Sequence, residues 1–368
     1  MSLPTRWRAV LAACLSSLLV AAPATVGAAE AYPFETIVFD IDVSPDGSIL
    51  VADGPTGAIH AIRDGAVGTI AALPLPATTP PSTLNGIAAI GAGDFFATTG
   101  GGDLAAGAKL WRVSRGNARM VADIETFETA HDPDATVGPA WKDPACEAVD
   151  PFSAGPQSNP YNVAALSGGE ALVADAAGNS LLSARTDGGV EVVAVFTPPV
   201  ADGSSSTDPA DWMVLFSLPD GTDCYVQPVA TSVAIGPDGA YYVGELTGAT
   251  VDLADAPGLS RVWRIAPGAR NVTCPSAACQ VVVDGLTSVI DVAFGPDGLY
   301  VVEWDVNGWL AALLGAGGGG AVKRCDVATG ACDVVAGGLI LPGAIAFDPA
   351  GTAWIVENTF APTVRTLP

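Results

Sequence analysis

One sentence of sequence recurs along this chain, and its plainest copy is Gln227–Gly248, QPVATSVAIGPDGAYYVGELTG. It runs from small residues to a short apolar stretch, a Pro-Asp-Gly turn, a second apolar stretch and an acidic residue before a loop. Proline presets φ, the Asp side chain can bond back to the backbone, and Gly accepts positive φ, so the triplet predicts a tight reversal. Apolar β-formers on both sides make the unit a hairpin. A lone hairpin cannot bury its own apolar face, so recurrence of the unit decides the architecture.

Related units follow at Ile41 (IDVSPDGSILVAD), Leu84 (LNGIAAIGAGDFFATT), Asn159 (NPYNVAALSGGEALVAD), Thr287 (TSVIDVAFGPDGLYVVE) and Leu341 (LPGAIAFDPAGTAWIVE). Most carry two further β-type runs, so each predicts a four-stranded antiparallel blade. The blades are expected at 41–72, 84–123, 159–196, 228–285, 287–338 and 341–368. The last has only three strands, and the extra β-run Phe34–Phe39 is expected to supply its outer strand and close the ring. The expected fold is thus an all-β, six-bladed propeller spanning residues 30–368. Two stretches, 124–158 and 197–225, are too long for plain connections and predict functional or stapled excursions.

Residues 1–29 predict a cleaved secretion signal. Arg6 and Arg8 form a positive start, Ala9–Val20 an apolar core, and Val26–Ala29 a small-residue cleavage site. Leu11–Cys14 resembles a lipoprotein box, but the apolar run before it is too short and continues beyond it. No later segment is long and apolar enough to span a membrane. The net charge of -24 argues against nucleic acid and anionic lipid as partners. Removing Cys14 leaves six cysteines, an even number that suits disulfides in a secreted chain. Cys274 with Cys279 and Cys325 with Cys332 each flank a turn between strands, leaving Cys146 for Cys224.

The stretches NPYNV, VADAAGN, QPVATSVAIGPDGAYYVGELTG and LTSVIDVAFGPDGLYVVE resemble the ScyD/ScyE family of secreted bacterial proteins, in the family's order and over most of the chain past residue 29. The resemblance implies an exported six-bladed propeller related to NHL and gluconolactonase-like propellers. It implies no reaction. Ala230 departs from the family, which more often has Pro there, and the cysteine-bearing insertions look like local additions.

Two sets of polar residues are candidates for function. The second strands end in Asp53, Asp175, Glu245, Glu303 and Glu357, with Thr98 in the second unit. These acids either form a cation-binding rim or cap their own turns, and their periodicity favours turn chemistry. The first strands enter the channel with Asp40 and Asp42, Asn85, Asn159 and Asn162, Thr231, Asp291 and Gly343. Gluconolactonase-like propellers hold a divalent metal at this place, and Asn85, Asn162 and Asp291 are the oxygen donors that would suit Ca²⁺. Asn85 and Asn162 fall one residue out of register with each other, which in a strand reverses the face.

Two functions follow. One is a binding propeller, a monomer, that takes a small molecule or an extracellular protein at the channel entry through Asn85, Asn162, Thr231 and Asp291. The other is a metal-assisted hydrolase of esters or lactones, with Asp291 or Glu245 as the base. Nucleophilic catalysis lacks its motif: there is no G-x-S-x-G, and the histidines are His60 in a strand and His131 in a loop beside Glu128, Asp132 and Asp134.

Overall fold

In the computed structural model, which describes residues 30–103, 106–137, 144–147, 155–248 and 257–367, the repeated triplet makes the predicted reversal. Gly239 takes φ +75°, its N–H donates to Gly236 O at 2.9 Å, and Asp238 Oδ1 accepts from the Ala240 N–H at 3.1 Å. The first blade repeats the device with Gly47 at φ +82° and Asp46 Oδ1 accepting from the Ser48 N–H. Without a Cβ, glycine meets no steric penalty there.

Each reversal joins the first two strands of a blade. Blade 1 comprises Val38–Val43, Ile49–Asp53, Ala58–Arg63 and Ala66–Ala72. Blade 2 comprises Thr83–Gly91, Asp94–Gly100, Lys109–Ser114 and Asn117–Asp123. Blade 3 comprises Pro160–Ser167, Glu170–Asp175, Ser180–Arg185 and Val190–Phe196. Blade 4 comprises Ala230–Ile235, Tyr241–Glu245, Ser260–Ile265 and Cys279–Leu286. Blade 5 comprises Val289–Gly295, Gly298–Glu303, Gly320–Cys325 and Cys332–Leu339. Blade 6 comprises Ala344–Phe347, Ala353–Glu357 and Thr363–Thr366, with Ala31–Pro33 as its outer strand. Every first strand packs against the first strands of both neighbouring blades, and blade 6 returns to blade 1, so the six sheets form a closed propeller.

An N-terminal strand does complete the last blade, but it is Ala31–Pro33 and not the expected Phe34–Phe39. Ala31, Tyr32 and Pro33 pair antiparallel with Arg365, Val364 and Thr363. Residues 34–37 cross to the next blade, and Val38 already belongs to blade 1, opposite Asp53. The apolar run at 34–39 was split because Val38 and Ile41 are needed in the core between blades 6 and 1, beside Ala344, Trp354 and Val356. The secretion leader expected at 1–29 lies outside the described residues.

The hairpin bracketed by Cys274 and Cys279 is also divided. Val272–Cys274 leaves blade 4 and adds a fifth, parallel strand to the outer edge of blade 3, while Cys279 begins the outer strand of blade 4. The three expected disulfides are formed, with Cα separations of 5.8 Å for Cys146–Cys224, 5.3 Å for Cys274–Cys279 and 4.1 Å for Cys325–Cys332. The first ties the two long excursions together. One contains the helix Ile124–His131, capped by the Asp123 side chain at the Thr126 N–H, and the other the hairpin Val214–Ser217 with Asp223–Tyr225. Among the described residues no helix is long and apolar enough to cross a membrane.

The core lies between blades. Between blades 3 and 4, Leu172, Leu181, Phe196, Val243, Trp263 and Ile265 are buried together. Burying an aliphatic or aromatic side chain of this size stabilises by roughly 1.5–3 kcal/mol. Because each blade is apolar on both faces, no blade is complete without its neighbours.

Candidate functional site

In blades 1 to 5 the first strand carries a β-bulge where it enters the channel, and in blade 6 it pairs without one. The pairing shifts between Val38 and Asp40, Leu84 and Ile87, Pro160 and Asn162, Ala230 and Ser232, and Val289 and Asp291. A bulge inserts one unpaired residue and re-aims the side chains beyond it. Past the bulge the equivalent positions are Asp40, Asn162, Ser232 and Asp291, opposite Ala52, Ala174, Gly244 and Val302. Asn85 and Thr231 are the bulge residues themselves, one position earlier.

The two positions do different work, and they alternate around the ring. In blades 1, 3 and 5, the residue past the bulge accepts a backbone N–H from the next blade. Asp40 Oδ2 takes Ile87 N–H at 2.8 Å, Asn162 Oδ1 takes Val233 N–H at 3.0 Å, and Asp291 Oδ2 takes Ile345 N–H at 2.8 Å. In blades 2 and 4, the bulge residue donates to the next blade's carbonyl. Asn85 Nδ2 donates to Pro160 O at 3.2 Å and Thr231 Oγ1 to Val289 O at 2.7 Å. Asn85 Nδ2 also donates to Asn159 Oδ1 at 2.9 Å.

Asp40, Asn162 and Asp291 therefore come from alternate blades and line one cavity of about 300 Å³, together with Asp42. The rest of its wall is mainly alanine, valine, isoleucine and phenylalanine, and no Lys or Arg contributes to it. The wall follows each first strand from the Asp40 level toward the Pro-Asp-Gly end, reaching Ala165, Ile235, Phe294 and Phe347. On the entry side, Phe39 and Tyr161 meet edge to face at 6.0 Å. The cavity thus faces the turn side of the propeller, whereas the sequence placed the ligand at the channel entry.

Burial without a counter-cation sets the electrostatics. It pushes Asp291 up to about 7 and Asp42 up to about 6, against the backbone N–H bonds each carboxylate accepts. Asp40 is raised well above the usual carboxylate range, first by burial and then by the charge of Asp291. Burial, followed by the charges of Asp40 and Asp291, raises the Tyr161 hydroxyl as well. Asn162 Nδ2 donates to Asp40 Oδ2 at 3.2 Å, which offsets part of that penalty.

A divalent metal does not fit these donors. Asp40, Asp42 and Asp291 are not brought within 4.8 Å of one another as a set of three. Their oxygens face backbone N–H groups: Oδ1 of each bonds the N–H of the following residue, and Oδ2 bonds the next blade. Asn85 is turned away, and Asn162 spends its oxygen on Val233. Ca²⁺ instead takes six to eight convergent oxygens.

The acids at the ends of the second strands are held inside their own blades by one recurring position on the third strand. That position is His60, Trp111, Leu182, Trp263, Lys323 and Arg365 in blades 1 to 6, opposite Val51, Ala97, Val173, Val243, Val301 and Ile355. Lys323 pairs with Glu303 at 2.8 Å, Arg365 with Glu357 at 2.5 Å, and His60 lies 3.5 Å from Asp53. Trp263 Nε1 donates to Glu245, which also binds the fully buried Arg261 at 2.6 Å. In blade 2 the acceptor is Thr99, one residue beyond the expected Thr98, and Trp111 Nε1 donates to it at 3.1 Å. Blade 3 has Leu182 there, and Asp175 accepts instead from Ser158 Oγ and the Asn159 and Gly178 N–H groups. Glu245 thus sits in a dry pairing site within blade 4, where burial raises its pKa despite Arg261.

Sequence reasoning placed Asp40 and Asp42 at the channel entry but did not carry them into the ligand-binding set of Asn85, Asn162, Thr231 and Asp291, although both stood in view in FDIDV. Aspartates at alternate positions of an inner strand were the available signal, since period two puts both on one face. His131 does not join a site. Its ring stacks on Phe127 at 4.4 Å and its Nδ1 bonds Phe127 O at 2.9 Å. Glu128, Asp132 and Asp134 gather within 4.8 Å, and Asn179 Nδ2 donates to Asp134 at 2.9 Å, joining the excursion to blade 3.

No protein-family model and no curated protein sequence matches the chain. Among solved structures it is similar to the PQQ-bound aldose sugar dehydrogenase of Streptomyces coelicolor, at 11% identity and TM-score 0.49, covering 92% of this chain and 98% of that one. It is also similar to virginiamycin B lyase of Staphylococcus aureus, at 13% identity and TM-score 0.45, covering 93% and 100%. A third is the nidogen/laminin complex, at 12% identity and TM-score 0.46, covering 84% and 85%.

Proposed function

We propose that this chain is a secreted binding propeller of the ScyD/ScyE type, and that its ligand is a small organic cation held in the channel by Asp40, Asp42, Asn162 and Asp291. One observation carries this reading: three carboxylates line a cavity of about 300 Å³ whose wall is otherwise mostly apolar and holds no basic side chain. Pockets of this size suit small ligands, and a few convergent polar groups on an apolar wall set their orientation. A protonated amine supplies the missing counter-charge and makes two or three hydrogen bonds to the spare carboxylate lone pairs. The six cysteines past residue 29, all paired in disulfides, support export to an oxidising compartment.

Titration calorimetry with putrescine and spermidine, alongside CaCl₂ and MgCl₂, tests the assignment. We expect amine binding that strengthens from pH 5 to pH 8 as the carboxyls ionise, and that falls at least tenfold in Asp291→Asn. Elemental analysis and a lactone-hydrolysis screen run on the same protein. Tightly bound calcium with lactone turnover would favour the hydrolase and overturn the amine reading. No amine binding at either pH would overturn it as well.

A further inference from the structure

Asp40 and Asp42 climb the neighbouring blade in step. Asp40 Oδ2 accepts from Ile87 N–H at 2.8 Å, and Asp42 Oδ2 accepts from Ala89 N–H at 2.6 Å, two residues further along the same strand. Both side chains therefore leave their strand on one face, as period two requires. The carboxylates of the channel thus stand at two levels. The deeper level, just past the bulge, holds Asp40, Asn162 and Asp291. Two residues nearer the turn side, the six first strands present Asp42, Ala88, Ala164, Ala234, Ala293 and Ala346, all lining the cavity. One carboxylate stands there among five alanines, whose single methyls keep the cavity wide beside it. An ionised carboxylate offers about four acceptor sites. Asp40 spends three, on Ile41 N–H, Ile87 N–H and Asn162 Nδ2. Asp291 spends two, on Val292 and Ile345 N–H, and Asp42 two, on Val43 and Ala89 N–H. The deeper level keeps about three sites for one –NH₃⁺ group, and Asp42 keeps about two for another.

We infer that the channel takes a linear α,ω-diamine, one ammonium at the Asp40–Asp291 level and the other at Asp42. This rests on the amine reading of the channel and narrows it from any small organic cation to a dication of set length. Two residues of strand span about 7 Å. A zigzag chain advances about 1.25 Å per bond, so four or five methylenes hold two nitrogens roughly 6–7.5 Å apart. The methylenes between them lie against the alanine ring. A shorter chain leaves its second ammonium short of Asp42. A longer one drives it past Asp42 toward Ile235, Phe294 and Phe347, where no carboxylate lines the cavity. A protein of net charge -24 draws any dication to its surface, so length and not charge distinguishes the channel.

Titration calorimetry on the full-length mature protein, at pH 8 and 0.15 M NaCl, compares butylamine with 1,3-diaminopropane, putrescine, cadaverine and 1,8-diaminooctane. Putrescine or cadaverine should bind tightest, about tenfold or more above butylamine, as one further charge-assisted hydrogen bond provides. Either should also exceed the shortest and the longest diamine at least threefold. Asp42→Asn keeps the side-chain shape and should close the gap between putrescine and butylamine to within threefold, whereas Asp291→Asn should weaken both. A matching thermal midpoint verifies that the variants fold, and the length series on the unaltered protein decides the matter without them. Equal affinity for butylamine and putrescine would overturn the two-level inference and leave a site for a single ammonium. Affinities alike for all the diamines would overturn it in favour of the acidic outer surface. Failure of every amine to bind would overturn the amine reading itself.

Discussion

Asp291 and Arg261 show how differently one fold treats a buried charge. Asp291 has no basic partner among the described residues and is held by N–H groups, so burial raises it to about 7. A carboxyl whose native pKa exceeds its unfolded value of 3.8 binds more protons when folded. Its stabilising contribution is complete below about pH 4 and is lost as the pH rises through about 6 for Asp42 and 7 for Asp291. Thermal unfolding should therefore occur several degrees higher at pH 5 than at pH 8, and Asp291→Asn should shrink that difference; an unchanged difference would show that the carboxyl does not titrate in this range. Arg261 is the opposite case, fully buried with Glu245 and bonded as well to Thr197 O and Ser204 O. Arg261→Met leaves Glu245 buried without a counter-charge and should cost about 3–5 kcal/mol in denaturant unfolding. Arg261→Met with Glu245→Gln should recover part of that loss.

At the scale of elements, the bulge at the channel entry is the device that matters most. All four side chains clip one blade to the next, but the bulge turns Asn85 and Thr231 away and leaves Asn162 and Asp291 lining the cavity. The sequence signals the mismatch as a one-residue offset but does not say which residue is the inserted one, because a bulge is defined by the partner strand. The strand Val272–Cys274 is a second such case. Its pairing with blade 3 is non-local, and nothing in VTCPSAACQVV distinguishes it from an ordinary hairpin arm. Replacing Cys274 and Cys279 by Ser should free this strand. Hydrogen exchange should then rise across 190–196 and 272–274 while the other blades stay protected, and stability should fall by about 2 kcal/mol, the loop-closure figure for so short a loop. Uniformly faster exchange would instead mean that the strand is integral to the whole ring.

The whole molecule is a closed ring of blades, each apolar on both faces, so closure is worth more than its few pairs suggest. Ala31–Pro33 adds only three residue pairs, yet it fastens blade 6 to a segment that enters blade 1. A chain beginning at Val38 should keep blades 1 to 5 whole, lack the outer strand of blade 6 and lose cooperativity. Its unfolding should broaden and its midpoint fall well below that of the chain beginning at Glu30; a single sharp transition at the same midpoint would show that the strap is dispensable.

Blade number, turn positions and disulfide pairing were legible in the sequence, because each is local: a Pro-Asp-Gly reversal, an alternating apolar run, two cysteines flanking a turn. The acids at the second-strand ends were legible as a repeating structural feature, but of the turn chemistry expected for them Asp175 gives the clear case, while Glu245, Glu303 and Glu357 pair with third-strand side chains. The cavity was not. Whether a polar residue near a strand entry clips two blades or faces a ligand depends on a bulge register and on the neighbouring blade's backbone. Those meet only when six distant stretches close into one ring, which is where Asp40, Asp42, Asn162 and Asp291 first become a site.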